Sequence, residues 1–186
     1  RDEGFIHEIL TGDIHKANQK LAGLESRDQA KTFIYALIYG AGNAKLGSVV
    51  GGDKGHGERL RRRFFHNLPA FPDLRDRVSS KAQRGFLIGL DGRHVPVRSE
   101  HSALNTLLQS AGAIVMKKAL TTLDEYAKLW GITYNFIGNI HDEVQTEVKT
   151  SESEKFGRLA TSCIEAAGIH FNLRCPLAGE FKVGRD

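Results

Sequence analysis

Cysteine is scarce in this sequence. Cys163 and Cys175 are the only two, and no C-x-x-C pair occurs. That excludes a disulfide scaffold, leaves a structural zinc site without its usual ligands, and points to a reducing compartment, the cytoplasm. Long apolar runs are missing as well. None approaches the roughly 18 residues that a membrane span needs, so no membrane partner is expected. Proline is sparse, internal repeats and low-complexity segments are absent, and a collagen-like chain is excluded. Methionine occurs once, at Met116, and the chain opens at Arg1 with no signal-peptide pattern. Because RDEGFIHEILTGDIH already reads as amphipathic helix, the start is expected to be a cut. The chain is then the C-terminal part of something longer.

What is present is ordinary for a globular protein. The 186 residues are 40% hydrophobic and 26% charged, enough for one domain or two small subdomains sharing a core. The charge is uneven. Residues 54–100 hold 11 Lys/Arg against 5 Asp/Glu, whereas the formal net charge of the whole chain is only +4. Arg59, Arg61, Arg62, Arg63, Arg75, Arg77, Lys81 and Arg84 make up most of this excess. A basic stretch of this kind fits a polyanion, because neutralised phosphates release counterions. A solvated helix face is the plainer alternative.

Periodicity predicts helices first and strands later, an α+β arrangement. Residues 3–24 read as helix broken near Gly12-Asp13. Residues 27–39 read as a strong helix stopped by Gly40-Ala41-Gly42. Helices are also expected over 43–51 and 56–84, the latter interrupted by Pro69 and Pro72. GFLIGLDGRHVPV (85–97) reads as a hairpin with Asp91-Gly92 at its turn. A long helix spans 100–130, with Ser99 or Ser102 as N-cap. Strands follow at 132–140 and 144–150, then a helix at 152–167 and a last extended segment at 170–183.

The helix SRDQAKTFIYALIYGAG carries the first sharp signal. Arg27, Lys31, Tyr35 and Tyr39 recur at steps of four, so each lies about 40° round from the last and the stripe runs about 18 Å. Two cations precede two aromatic rings. That order suits a nucleoside triphosphate lying along the helix, with phosphates at the cationic, N-terminal end. His15, in TGDIHKAN, is a candidate to join it. The alternative is an amphipathic helix with an exposed polar edge.

IHDEVQ (140–145) is the second signal. A tight turn between strands would present Asp142 and Glu143 together, and adjacent carboxylates can share hard divalent cations such as magnesium. Plain turn chemistry is the alternative. In the long helix, Asn105 and Gln109 lie four apart, before the small residues Ser110, Ala111, Gly112 and Ala113. Their amides could donate to the minor-groove acceptors that every base pair presents.

Taken together, TGDIHKAN, RDQAKTFIYALIYGAG, GLDGRHVPVRSEHSALNTLLQSAGA and IHDEVQ, in this order, resemble the family A DNA polymerases, and among them the replicative polymerases of short-tailed phages. The resemblance implies a partial right hand. Residues 1–98 would be a mostly helical fingers subdomain with its nucleotide-binding helix at 27–39. Residues 99–186 would be the C-terminal part of the palm, with its antiparallel hairpin. It implies that Arg27 and Lys31 contact the incoming deoxynucleoside triphosphate with His15 assisting, that Tyr35 packs on its sugar and tolerates dideoxynucleotides, and that Tyr39 lies near the templating base. Asn105 and Gln109 would contact the minor groove of primer-template DNA, His141 the primer strand, and Arg93 the DNA backbone. Asp142 would bind one of two catalytic Mg2+ ions, with Glu143 beside it.

One element of the family pattern is missing. No aspartate-bearing motif A strand is found in residues 1–14, since Asp2 and Asp13 stand in helical context. The upstream part of the same polymerase is therefore an expected partner, and this chain alone is expected to have little or no activity. Two other readings remain open. A single-subunit phage-type RNA polymerase shares the Arg/Lys/Tyr-Gly helix and a His-Asp turn. A non-catalytic DNA-binding module would explain the basic stretch without chemistry.

Overall fold

The computed structural model describes residues 3–184, so Asp2 lies outside the described residues. In chain order the elements are α1 (Glu3–Thr11), α2 (Ile14–Ala22), α3 (Arg27–Ile38), α4 (Asn43–Ser48), α5 (Lys54–Asn67) and α6 (Ala70–Ala82). There follow β1 (Phe86–Ile88), β2 (His94–Pro96), α7 (Ala103–Leu129), β3 (Tyr134–Ile140), β4 (Glu143–Val148) and α8 (Ser153–His170). The strands form separate two-stranded sheets, β1-β2 and β3-β4. The helix-first, hairpin-later α+β order is thus present.

Two compact units divide the chain: one runs up to Leu87 and includes His94–Leu107, the other takes Ile88–Arg93 and the chain from Leu108 onward. In the first, the apolar face of α3 (Ala30, Phe33, Ile34, Leu37) meets Leu60 and Phe64 of α5. Phe33 and Phe64 are fully buried, and their rings meet edge-on at 5.9 Å. Phe64 makes a second edge contact with Phe71 at 5.8 Å. Aromatic pairs prefer such offset and T-shaped geometries because ring faces are negative and edges positive. Between α4 and α5 the backbones touch. A side chain on Gly57 would strike the carbonyl of Asn43, so only glycine fits there.

The second unit is built on a step-of-four stripe, Val115, Ala119, Leu123 and Ala127 of α7, facing Phe156, Leu159, Cys163 and Ala167 of α8. The Tyr134 hydroxyl donates to the Asp124 carboxylate and so ties β3 to α7. Burial, reinforced by Asp124, pushes that phenol up to about 12. β4 alternates half-buried Val144, Thr146 and Val148 with exposed partners, as its sequence period predicts. In β3 the register slips between Phe136 and Gly138, leaving Ile137 as a bulge.

Several local expectations need correction. Pro72 does not interrupt a helix. It sits in the first turn of α6, where its missing N–H has no intrahelical acceptor to lose. Pro69 does interrupt, as expected, with the break at Leu68-Pro69. Ser99 gives no side-chain cap, because its hydroxyl pairs with that of Ser102 at 3.1 Å, and residues 100–102 form a 3₁₀ turn before α7. The helix expected over 43–51 stops at Ser48, and α8 runs three residues past its expected end, to His170. The segment after it pairs with no strand among the described residues; Leu177 and Phe181 pack on Gly168 and Gly157 of α8 instead.

Truncating Phe64 removes the ring that joins α3, α5 and α6. Phe64→Ala is expected to lower unfolding free energy by about 3–5 kcal/mol, read from urea midpoints at constant m-value. A loss under about 1 kcal/mol would place the core elsewhere.

Candidate functional site

The stripe on α3 is set by the ends of the helix as much as by its middle. At the N-terminus, Ser26 Oγ accepts from Gln29 N–H at 3.1 Å while Gln29 Oε1 accepts from Ser26 N–H at 3.3 Å, a reciprocal capping box. At the C-terminus, Ala41 N–H donates to Ala36 O at 2.9 Å and Gly40 N–H to Leu37 O at 3.1 Å. These two bonds make a Schellman turn. Gly40 holds φ +80°, and a Cβ there would strike the His101 carbonyl.

Burying Ala30, Phe33, Ile34 and Leu37 turns Arg27, Lys31, Tyr35 and Tyr39 outward. The Tyr35 and Tyr39 rings stack with centroids 6.4 Å apart, 45% and 53% exposed. α2 brings His15 to the same row, 6.3 Å from Tyr35. Its Nδ1 is sealed from solvent without a hydrogen-bond partner. The Lys31 ammonium makes no ion pair among the described residues and is exposed. Arg27 is different. Its Nε donates to Asp13 Oδ2 at 2.8 Å, with both side chains partly exposed. Asp13 also caps α2, accepting from His15 and Lys16 N–H at 3.0 and 3.2 Å. One carboxylate therefore aligns the helix carrying His15 with the helix carrying the stripe.

In the second unit, β3 and β4 close on a two-residue turn, with Ile140 opposite Glu143. His141 holds φ +57°, a left-handed conformation that costs a non-glycine residue about 1–2 kcal/mol. Asp142 stands at the turn with its carboxylate exposed and unpaired among the described residues. Glu143 begins β4, and its Oε1 accepts from Gln145 at 2.9 Å. Both acids help to line a groove of about 810 Å³, together with Val144, Thr146, Val148 and Phe181. Among the described residues, no group of three or more His, Cys, Asp or Glu side chains gathers as a cation site. Asp142 with Glu143 has the hard oxygen donors that magnesium prefers, but supplies only part of an octahedral shell.

On α7, Asn105 Oδ1 is sealed from solvent without a partner, and Gln109 is exposed one turn later. Arg93 is committed locally. It grips Asp91 with contacts of 2.6 and 2.7 Å, closing the β1–β2 turn. Sequence reasoning passed over the partner of Arg27, Asp13, although Gly-Asp before an amphipathic run is an N-cap signature. The S-x-x-Q of Ser26 and Gln29 was likewise a readable signal.

With this geometry in hand, comparison with known proteins is decisive at the family level. A family model described as DNA polymerase family A matches residues 2–186. The chain belongs to DNA polymerase family A. A DNA-directed DNA polymerase of Escherichia phage Phieco32 is 45% identical over 95% of this chain and 30% of its own length. That of Escherichia phage T7 is 40% identical over 97% of this chain and 29% of its own. The family A fold is also shared with a solved Pol1 polymerase domain from M. smegmatis, in complex with DNA primer-template and dNTP. Its TM-score is 0.82 at 22% identity, over 90% of this chain and 33% of that one. The chain thus spans about three tenths of the curated relatives it matches.

The Asp13–Arg27 contact predicts a pH response in this family A chain. The hydrogen bond from Arg27 holds the Asp13 carboxyl below its usual range, opposed by burial and aided by the His15 and Lys16 N–H groups. A depressed folded-state value means that the stabilisation is complete at neutral pH and is lost as pH falls through that lowered value. Arg27→Met should move the carboxyl titration of Asp13 upward, as followed by carbon NMR. An unmoved titration would show that the contact does not form in solution.

Proposed function

We propose that this chain is the fingers and the C-terminal part of the palm of a template-dependent DNA polymerase, with residues 1–98 and 99–186 as the two parts. The observation that carries the reading is the outward row of Arg27, Lys31, Tyr35 and Tyr39, flanked by His15, in a family A chain. Phosphates of a deoxynucleoside triphosphate bind Lys31 and Arg27 through charge-assisted hydrogen bonds. Arg27 reaches them while leaning on Asp13, which fixes its direction. The orphaned imidazole nitrogen of His15 is suited to a further polar contact. Tyr35 packs on the sugar, and Tyr39 lies by the templating base.

Primer-template DNA is the second substrate. Asn105 and Gln109 meet the minor groove, His141 the primer strand, and Arg93 the DNA backbone through whatever capacity Asp91 leaves it. Asp142, with Glu143 beside it, holds magnesium. Magnesium held there would supply the positive charge that acidifies the primer 3′-hydroxyl and neutralises the leaving pyrophosphate. The strained His141 backbone keeps Asp142 at the hairpin turn, where its oxygens stay open.

The rest of the polymerase is the partner of this chain. It supplies the motif A aspartate and covers the apolar side chains of β3, where Phe136, Ile137 and Ile140 are 42%, 66% and 55% exposed. The whole enzyme works in the cytoplasm of the host cell. The chain alone has little or no activity, because one metal-binding carboxylate cannot organise two ions.

The test is primer extension by the intact polymerase. Asp142→Ala should abolish synthesis with deoxynucleotides while primer-template affinity stays within about twofold. Removing an exposed carboxylate takes away no phosphate contact. Surviving synthesis would refute the metal role. Unprimed, ribonucleotide-preferring synthesis by the unmutated enzyme would indicate an RNA polymerase instead.

A further inference from the structure

Arg61 lies in the basic stretch, yet it does not face solvent like its neighbours Arg62 and Arg63. It is half-buried on α5. One arm, Nη2, donates to the carbonyl of Ala41, across the space between α5 and the turn that ends α3. No backbone N–H reaches that carbonyl among the described residues. The Nε of Arg61 is sealed from solvent without a partner, and no carboxylate pairs with the guanidinium among the described residues. Burial and the nearby charge of Arg75 push its pKa down, and no acid pushes it back. A lone, partly desolvated cation is a poor source of stability, since an apolar side chain of the same length would fill the space at less cost. What Arg61 adds is a donor at one point of the turn.

That point matters because of what is attached to it. Ala41 is two residues beyond Tyr39, the last ring of the stripe. The turn is held from a second side where Gly40 abuts the His101 carbonyl. The two residues directly after Tyr39 are thus each held by a contact from outside the turn. The Tyr39 ring position follows from the Schellman turn and from stacking on Tyr35.

We propose that Arg61 is a positioning residue that fixes Tyr39 through the Ala41 carbonyl and so sharpens selection of the incoming nucleotide. This rests on the polymerase reading given above. The charged donor locks the turn from behind, so that Tyr39 presents one fixed surface to a base pair. Loosening it lets the ring yield to misfitting pairs.

The experiment uses the intact polymerase and single-nucleotide insertion opposite one template base, with matched and mismatched deoxynucleotides. Arg61→Met keeps the stem and loses the donor. It should reduce the matched-to-mismatched ratio of kcat/KM by about tenfold, a small misplacement at a reacting site being costly. Arg61→Lys keeps a donor and a charge and should recover most of that loss. Tyr39→Ala combined with Arg61→Met should lose no more than Tyr39→Ala alone, because both act through one ring. Unchanged discrimination in Arg61→Met, additive losses in the double variant, or a lysine variant no better than methionine would each overturn the proposal. If Arg61→Met does not fold, Arg61→Gln, too short to reach Ala41, carries the same expectation. Failure here with normal matched synthesis would leave the polymerase reading intact. Failure of that reading shows separately, as synthesis that survives Asp142→Ala.

Discussion

Burial of one face of α3 is the constraint on which the rest depends. Ala30 and Phe33 are fully buried, and Ile34 and Leu37 nearly so. A helix advances 100° per residue, so placing these four against α5 leaves positions 27, 31, 35 and 39 outside. The stripe is therefore a consequence of packing, held by the edge contacts of Phe33 and Phe64. The two helix ends then fix where it starts and stops. A reciprocal Ser26–Gln29 cap sets the first cation at the helix N-terminus, where phosphate is favoured, and the Schellman turn at Gly40 ends the row on Tyr39.

Neighbouring elements tune this row without belonging to it. Asp13 does two jobs with one carboxylate, capping α2 and receiving Arg27. The first places His15 beside Tyr35; the second keeps a long, flexible cation from wandering. In the other unit, a comparable economy operates at the hairpin turn. His141 adopts a left-handed backbone conformation that glycine would accept at less cost.

Much of this was legible in the amino acids because it depends on period. Steps of four on α3, steps of two on β4 and the Asp91-Gly92 turn signal each map directly onto one element. So did the break at Gly12-Asp13. What escaped depended on partners distant in sequence or on position within a turn. Pro72 reads as a breaker until it is known to stand in a first turn. Ser99 and Ser102 both look like caps, yet they satisfy each other. Arg61 is indistinguishable from Arg62 and Arg63 in the sequence, since only the path of the chain after Gly40 brings a carbonyl within its reach. The ion pair of Arg93 with Asp91, two residues away, escaped in the same way.

The central claim is that the row on α3 receives a nucleotide, and Lys31 is its cleanest probe because no carboxylate shares it among the described residues. The measurement is the equilibrium dissociation constant of a matched deoxynucleoside triphosphate for the intact polymerase bound to primer-template, with and without Lys31→Ala. Loss of a charged hydrogen bond to phosphate predicts weakening by about tenfold or more, with primer-template affinity unchanged. Equal nucleotide affinity in the two proteins would contradict the account.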